Sequence, residues 1–433
     1  MRRVLHLRDL VLYGIVIITP IAPVPIFGLA ETRSHGYAAV TVILAGLAMM
    51  LTAVSYGRMA AIYPSAGSAY TYVGRSLNPH LGFLAGWAML LDYLILPVVA
   101  VIQAALAMAR ILPSVPYTVW VLLFVALMTG LNYRGIRTTA RTNTWLVVIM
   151  SVVIAAFLLE AIRYVFLHRS VSFLHPLYSP GNFDFRAVAN ATSLSALTYI
   201  GFDGVTTLAE EVDNPRRNVP IATVLVCLLT LVSSFVLVYL AQLVWPDYAT
   251  YPNVETAFMD VTQRVGGILL FQAMGLLVML SSFGGGLSGQ VAAARLLFGM
   301  GRENVLPRRV FGYMHPVRQG PTLNVLLVGV LVLAGSLVGN LEQTATLLNF
   351  GAFVSFMGVN LAAIREAFRT PGGRPLLKSL APAGGFLFCL GIWISLPPIA
   401  KIVGGVWFLA GIVYDALGSR GFRHRPVRID FTG

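Results

Sequence analysis

Two long apolar runs in this chain are interrupted at matching places: Thr19-Pro20-Ile21-Ala22-Pro23 in the run at 10–31, and Gly201-Phe202-Asp203-Gly204 in the run at 187–211. In hydrocarbon every backbone N–H and C=O must be satisfied within the protein. A spanning helix therefore breaks only where its backbone is buried or lines a cavity that uses the freed groups. Paired breaks in the two halves of a polytopic chain point to a binding cavity between inverted repeats.

The sequence has 433 residues, 57% of them hydrophobic and 11% charged, which is too apolar for a single water-soluble core. A span takes roughly 20 residues of predominantly apolar helix. About twelve such segments can be placed, near 10–31, 37–63, 81–109, 115–131, 142–166, 187–211, 219–245, 265–299, 321–340, 343–364, 380–397 and 401–418. The first is too long for a signal-peptide core and stays as a membrane helix. The expected fold is an all-α membrane protein with one domain over 1–433. Repeat one covers 9–166, repeat two 187–364, and an appended pair 380–418. Each repeat opens with a broken segment and holds five segments. Five is odd, so the second repeat runs with opposite topology, a 5+5 inverted repeat. The appended pair is expected to pack or assemble.

The formal net charge is +13, and its distribution decides what it means. With the N-terminus inside, only Arg33, Arg110, Arg163, Arg169, Arg186, Arg264 and Lys401 of the 30 Lys and Arg fall on the outer side. That is the positive-inside pattern of a multi-pass protein of the cell membrane with both termini cytoplasmic, and it argues for a lipid bilayer rather than a nucleic acid as partner. Cys227 and Cys389 lie in apolar runs and read as packing residues.

Ionisable groups at mid-membrane depth are costly, and the sequence places two there. Counted from Leu81, Asp92 lies about eleven residues into the third segment, roughly halfway through a ~30 Å core at about 1.5 Å per residue. Asp203 lies inside the second break. It reads either as a cap accepting N–H bonds at the start of the inner half-helix or as a counter-ion for a substrate ammonium, and its two oxygens allow both. Asp92 reads either as locally paired or as binding an amine or a coupling proton. Tyr93 points about 100° from Asp92 on an ideal helix and ranks below it. Tyr199 and Phe202, flanking Gly201, offer aromatic faces to a cation or pack as ordinary rings. Glu210 and Glu211 are expected to pair with Arg216 and Arg217. Ser281, Ser282 and Gly284-Gly285-Gly286 fit either a sodium site or close helix packing. All seven histidines lie at segment ends, loops or tails, which disfavours an intramembrane histidine relay. There is no P-loop, H-E-x-x-H or Cys/His cluster, so neither direct ATP energisation nor a metal or nucleophile enzyme is supported, and no cofactor is expected.

Several stretches in order carry a family resemblance: P-S-A-G-S-A-Y-T-Y at 64–72, G-W-A-M-L-L-D-Y at 86–93, N-Y-R-G at 132–135 and G-F-D-G-V-T-T-L-A-E-E-V-D-N-P-R-R-N-V-P at 201–220. R-L-L-F-G-M-G-R-E-N-V-L-P at 295–307 and L-L-N-F-G-A-F-V-S-F at 347–356 continue it. Over nearly its whole length the chain resembles the amino acid–polyamine–organocation transporter superfamily. The wording of segments 1, 3 and 10 is most similar to bacterial putrescine importers. The resemblance implies a LeuT-like fold and alternating access. In amino-acid transporters of the superfamily a Gly-Ser-Gly type break offers successive amides to the substrate carboxylate. Here Pro20, Pro23 and Pro25 have no amide to offer. The carbonyls of Ile18 and Thr19 remain for a cation, with Ile21, Ala22 and Val24 as the amides left for an anion. The expected function is a secondary active transporter importing a small cationic amine such as putrescine, with an amino-acid importer or exchanger as the alternative. Some proton-coupled members carry a lysine in helix 5 that is absent here, so H+ and Na+ both stay open as coupling ion. The sequence sets no oligomeric state.

Overall fold

The computed structural model describes residues 5–64, 68–135, 140–168, 172–178, 183–209, 211–302, 306–315, 320–369 and 374–422. The described secondary structure is helical, with one isolated parallel bridge between Leu5 and Val212. The first apolar run becomes α1 (Leu7–Ile18), a 3-10 turn at Val24–Ile26, and α2 (Phe27–Arg33). α1 starts where the His6 amide donates to Asp9, 2.9 Å. It stops at Thr19, whose φ of 64° is not helical and which precedes Pro20. α3 (Ala38–Ile62), α4 (Ser68–Ser76), α5 (Pro79–Ile111), α6 (Tyr117–Arg134) and α7 (Ala140–Leu167) complete the first half.

The second half repeats the opening device. α8 (Phe185–Ser195) passes into a 3-10 turn at Ala196–Tyr199 and, beyond the break, into the one-turn α9 (Gly204–Thr207). Then follow α10 (Pro215–Val244), α11 (Ala257–Arg302), the one-turn α12 (Arg308–Phe311), α13 (Thr322–Val338), α14 (Leu341–Arg369), α15 (Pro375–Ile394) and α16 (Pro398–Gly418). Eight of the described helices are long and apolar enough to cross a membrane; α13, at 17 residues, is just shorter. α11 departs from the expected segment at 265–299. It begins at Ala257 and bends at Gly267, whose φ of 68° breaks the helical register, so a leading arm precedes the long apolar stretch.

α5 packs along α11 and α14, α3 along α10, and α6 along α13. Lipid tails are as apolar as leucine, so these contacts rest on close packing rather than on hydrophobic transfer. Gly57 lies against Pro220, where a Cβ would come within 2.7 Å of the proline backbone. The buried apolar residues form two large clusters, one built on α1, α3 and α10, the other on α5, α6, α11 and α13. Tyr93 and Ile200 touch both, so the seam between the clusters passes beside the second break. α15 packs on α14 and α3, and α16 on α14 and α5. Trp87 and Trp407 stack with ring centroids 4.9 Å apart, each indole N–H donating to the other's backbone carbonyl at 2.9 Å. The appended pair is thus fastened to the helix that carries Asp92. Cys227 and Cys389 are buried free thiols.

Candidate functional site

The two breaks lie side by side. Gly201 faces Ile17 and Ile18 of α1, and Gly204 faces the tip of Ile17. Gly201 has φ 113°, and a Cβ there would come within 2.7 Å of Ile17 Cγ2. Both the backbone conformation and the space exclude a side chain. Gly201→Ala is therefore expected to cost about 1–3 kcal/mol and lower the melting temperature of the purified protein. Gly130→Ala, on α6 where a Cβ meets nothing within 4 Å, should melt like the unmodified protein. Equal melting of the two variants would sink the strain argument.

At the first break, Ile18 and Ile21 are buried, Thr19 and Ala22 half-buried. The Ala22 amide donates to the Thr19 carbonyl at 3.1 Å, and the Val24 amide to the Ile21 carbonyl at 2.9 Å. Two of the three amides the sequence left for an anion are thus used inside the break. So is the Thr19 carbonyl, which leaves that of Ile18 as the freer acceptor.

At the second break the Thr206 hydroxyl donates to the Asp203 carbonyl and the Thr207 hydroxyl to that of Gly204, each at 2.7 Å. The Asp203 side chain makes no capping hydrogen bond deeper into α9; the amides close to its carboxylate are those of Gly201, Gly204 and its own residue. Phe202 is fully buried, its ring 5.4 Å from Tyr56 of α3 and 5.3 Å from Phe356 of α14. Tyr199 does not join this group. Its hydroxyl donates to the Val42 carbonyl at 2.8 Å, which makes it a packing residue on α3.

Asp92 and Asp203 are each 7% exposed and lie within electrostatic reach of one another. Tyr93 lies within reach of both, so its offset around α5 does not remove it from the site. Tyr56 and Tyr72 also lie within electrostatic reach of Asp203. Sequence reasoning missed Tyr56, Tyr72 and Phe356. For Tyr72 a signal existed in P-S-A-G-S-A-Y-T-Y, one of the stretches that carry the family resemblance. Its described part is α4, packed on α5 and α14, with Tyr72 fully buried 6.0 Å from Tyr56.

Asp92 and Asp203 are not the only buried acids, but they differ from the others. Glu31 accepts from Gln242 at 2.7 Å and from the Ala38 amide at 3.0 Å. Asp260 is held by Arg110, Asp415 by His80, and Glu366 by Arg369. Among the described residues neither Asp92 nor Asp203 meets a cationic side chain, and one oxygen of Asp92 and the Tyr56 hydroxyl are buried without a hydrogen-bond partner. Two buried carboxylates close to aromatic residues and lacking a protein cation can accept an ammonium from outside. In α11 the Ser282 hydroxyl donates to Gln103 of α5 at 3.0 Å, and Gly286 lies against Met128 and Ala100, so these small residues serve helix contact. Glu210 lies outside the described residues; Glu211 makes no ion pair with Arg216 or Arg217 among them, and its carbonyl accepts from the Leu5 amide.

A multi-pass helical bundle with two broken helices meeting beside buried, unpaired carboxylates has the architecture of a membrane solute transporter. The chain belongs to the amino acid permease family, whose family model matches residues 26–406. It is 31% identical to the low-affinity putrescine importer PlaP of Escherichia coli K12, over 98% of this chain and 95% of that protein. It is 28% identical to the branched-chain amino acid permease BcaP of Bacillus subtilis, over 97% and 94% of the two chains. It is also 28% identical to a methylthioribose transporter of the same organism, over 96% and 94%. The protein is a transporter of amines or amino acids, not an enzyme.

Proposed function

We propose that the protein is a secondary active transporter that imports a small cationic amine of putrescine type by alternating access. The reading is carried by one observation: among the described buried acids, Asp92 and Asp203 are the two that receive neither a cation nor a side-chain hydrogen bond from any described residue. Asp92 and Asp203 neutralise the substrate ammonium groups, and Tyr56, Tyr72, Tyr93 and Phe202 surround them. The Ile18 carbonyl accepts from the first break. Twelve crossings with both termini cytoplasmic follow from the alternation of helices and the outward scarcity of Lys and Arg. The 5+5 repeat is supported by which helices touch: the second crossing packs on the seventh, the third on the eighth, the fourth on the ninth, and the two broken ones meet at Gly201. Elements close to a two-fold axis meet their own equivalents in this way. Substrate access alternates as the broken helices tilt along the seam between the two apolar clusters. Coupling is to H+ or Na+. The amino-acid reading has its own support in the branched-chain permease among the relatives and in the Ile21 amide, which makes no backbone bond.

Competition binding separates the two readings. Ornithine carries the diamine reach of putrescine plus a carboxylate, which would sit unpaired near two acids at a cost of a few kcal/mol. Putrescine is expected to compete at least about tenfold better. Tighter binding of ornithine or of a neutral amino acid would replace the amine assignment with the amino-acid one.

A further inference from the structure

A cleft of about 360 Å³ opens on the flank of the bundle between α3, α8 and α15. Leu44 forms one wall, Ala189 and Thr192 the second, and Leu387, Gly391 and Ile392 the third. Its hydroxyls are already used: Thr192 donates to the Val188 carbonyl at 2.7 Å and Ser395 to that of Gly391 at 3.0 Å. A cleft with no polar group to satisfy does not hold water in place. The cleft stays open where a side chain is missing, since a Cβ on Gly391 meets nothing within 4 Å.

The occupant follows from where the cleft lies. Its rim carries Phe185 at 72% and Leu387 at 64% exposure, apolar side chains that in a multi-pass protein face lipid. A space of this size takes a run of methylenes rather than one or two waters. At the Ser395 end an ammonium is in place, because Lys401 Nζ donates to the carbonyl of the adjacent Ile394 at 2.9 Å. A lysine near a helix end holds its ammonium at the headgroup level, where a lipid phosphate can meet its charge.

We propose that this cleft holds one acyl chain of an anionic phospholipid whose phosphate rests on Lys401. The site is separate from Asp92 and Asp203 and does not depend on the amine reading. One wall of the cleft is α8, the helix that leads into the second break, so the lipid forms part of the surface on which that helix rests.

The test uses the full chain, stripped of lipid in mild detergent and titrated with phosphatidylglycerol, with bound lipid counted by native mass spectrometry and melting followed in parallel. The unmodified protein should retain one tightly held lipid and melt higher with it. Gly391→Phe fills open space, so it should melt no lower than the unmodified protein without lipid, bind the lipid at least tenfold more weakly and lose the lipid-dependent rise. Ala189→Leu, from the opposite wall, should repeat that loss and serves as the deciding variant if Gly391→Phe folds poorly. Lys401→Gln should weaken phosphatidylglycerol about threefold and leave a diacylglycerol, which has no phosphate, unchanged. Leu159→Phe, on the lipid-facing side of α7, should change nothing. Unaltered retention in both cleft variants overturns the site, as does an equal loss in Leu159→Phe, which would make the lipid annular. A fatty acid that binds as tightly as phosphatidylglycerol, with Lys401→Gln silent, overturns the phospholipid.

Discussion

Asp203→Asn is expected to weaken putrescine binding about tenfold to a hundredfold, the loss of one charge-assisted hydrogen bond worth about 1.5–3 kcal/mol. The amount of folded protein should hardly change. The reason lies in the second break: Thr206 and Thr207 tie the turn through backbone carbonyls, and the Asp203 carboxylate makes no capping bond into α9. Asparagine keeps the shape and an acceptor oxygen but removes the charge. Equilibrium binding on purified protein, with melting recorded on the same samples, separates site from scaffold. Parallel losses of affinity and of thermal stability would return Asp203 to a capping role.

Arg110→Ala is expected to be the most destabilising of these substitutions, at about 3–5 kcal/mol. Arg110, at the end of α5, donates to Asp260 in the leading arm of α11; Asp260 is 4% exposed, and its other oxygen is buried without a partner. Truncating the arginine leaves a buried carboxylate with nothing to meet it. The doubly substituted Arg110→Leu, Asp260→Leu protein should recover most of the loss, because replacing both charges removes the desolvation cost as well as the attraction. Melting curves of the three proteins decide the matter. A single variant that melts like the unmodified protein would show that Asp260 is reached by water.

The contrast between these acids explains why the sequence was only partly legible. Asp92 and Asp203 stood out by depth, since a carboxylate mid-way along an apolar run has no route to water. Asp260, Glu31 and Asp415 lie near helix ends, where sequence alone suggests solvent. Their burial comes from neighbours far along the chain: Gln242 for Glu31, and His80 for Asp415. The same limit applies to the aromatic residues. Tyr199 and Phe202 are three residues apart and equally good candidates on paper, yet one hydroxyl is taken by Val42 and the other ring meets Tyr56 and Phe356. The helical offset of Tyr93 was read on an isolated cylinder, but α5 lies in the seam between two apolar clusters, where Tyr93 as well as Asp92 comes within electrostatic reach of Asp203.

By itself the sequence determined that the chain lives in a bilayer, where its first and sixth apolar runs break, and which family it belongs to. These follow from local chemistry: apolar length, prolines without amides, glycines that accept φ > 0, and motif order. Only the tertiary structure decided which acids have partners and which do not. It also decided which amides of the first break are already used and which rings pack together beside the second break. Those are contacts between helices dozens to hundreds of residues apart, and no spacing along one helix specifies the face that another will present to it.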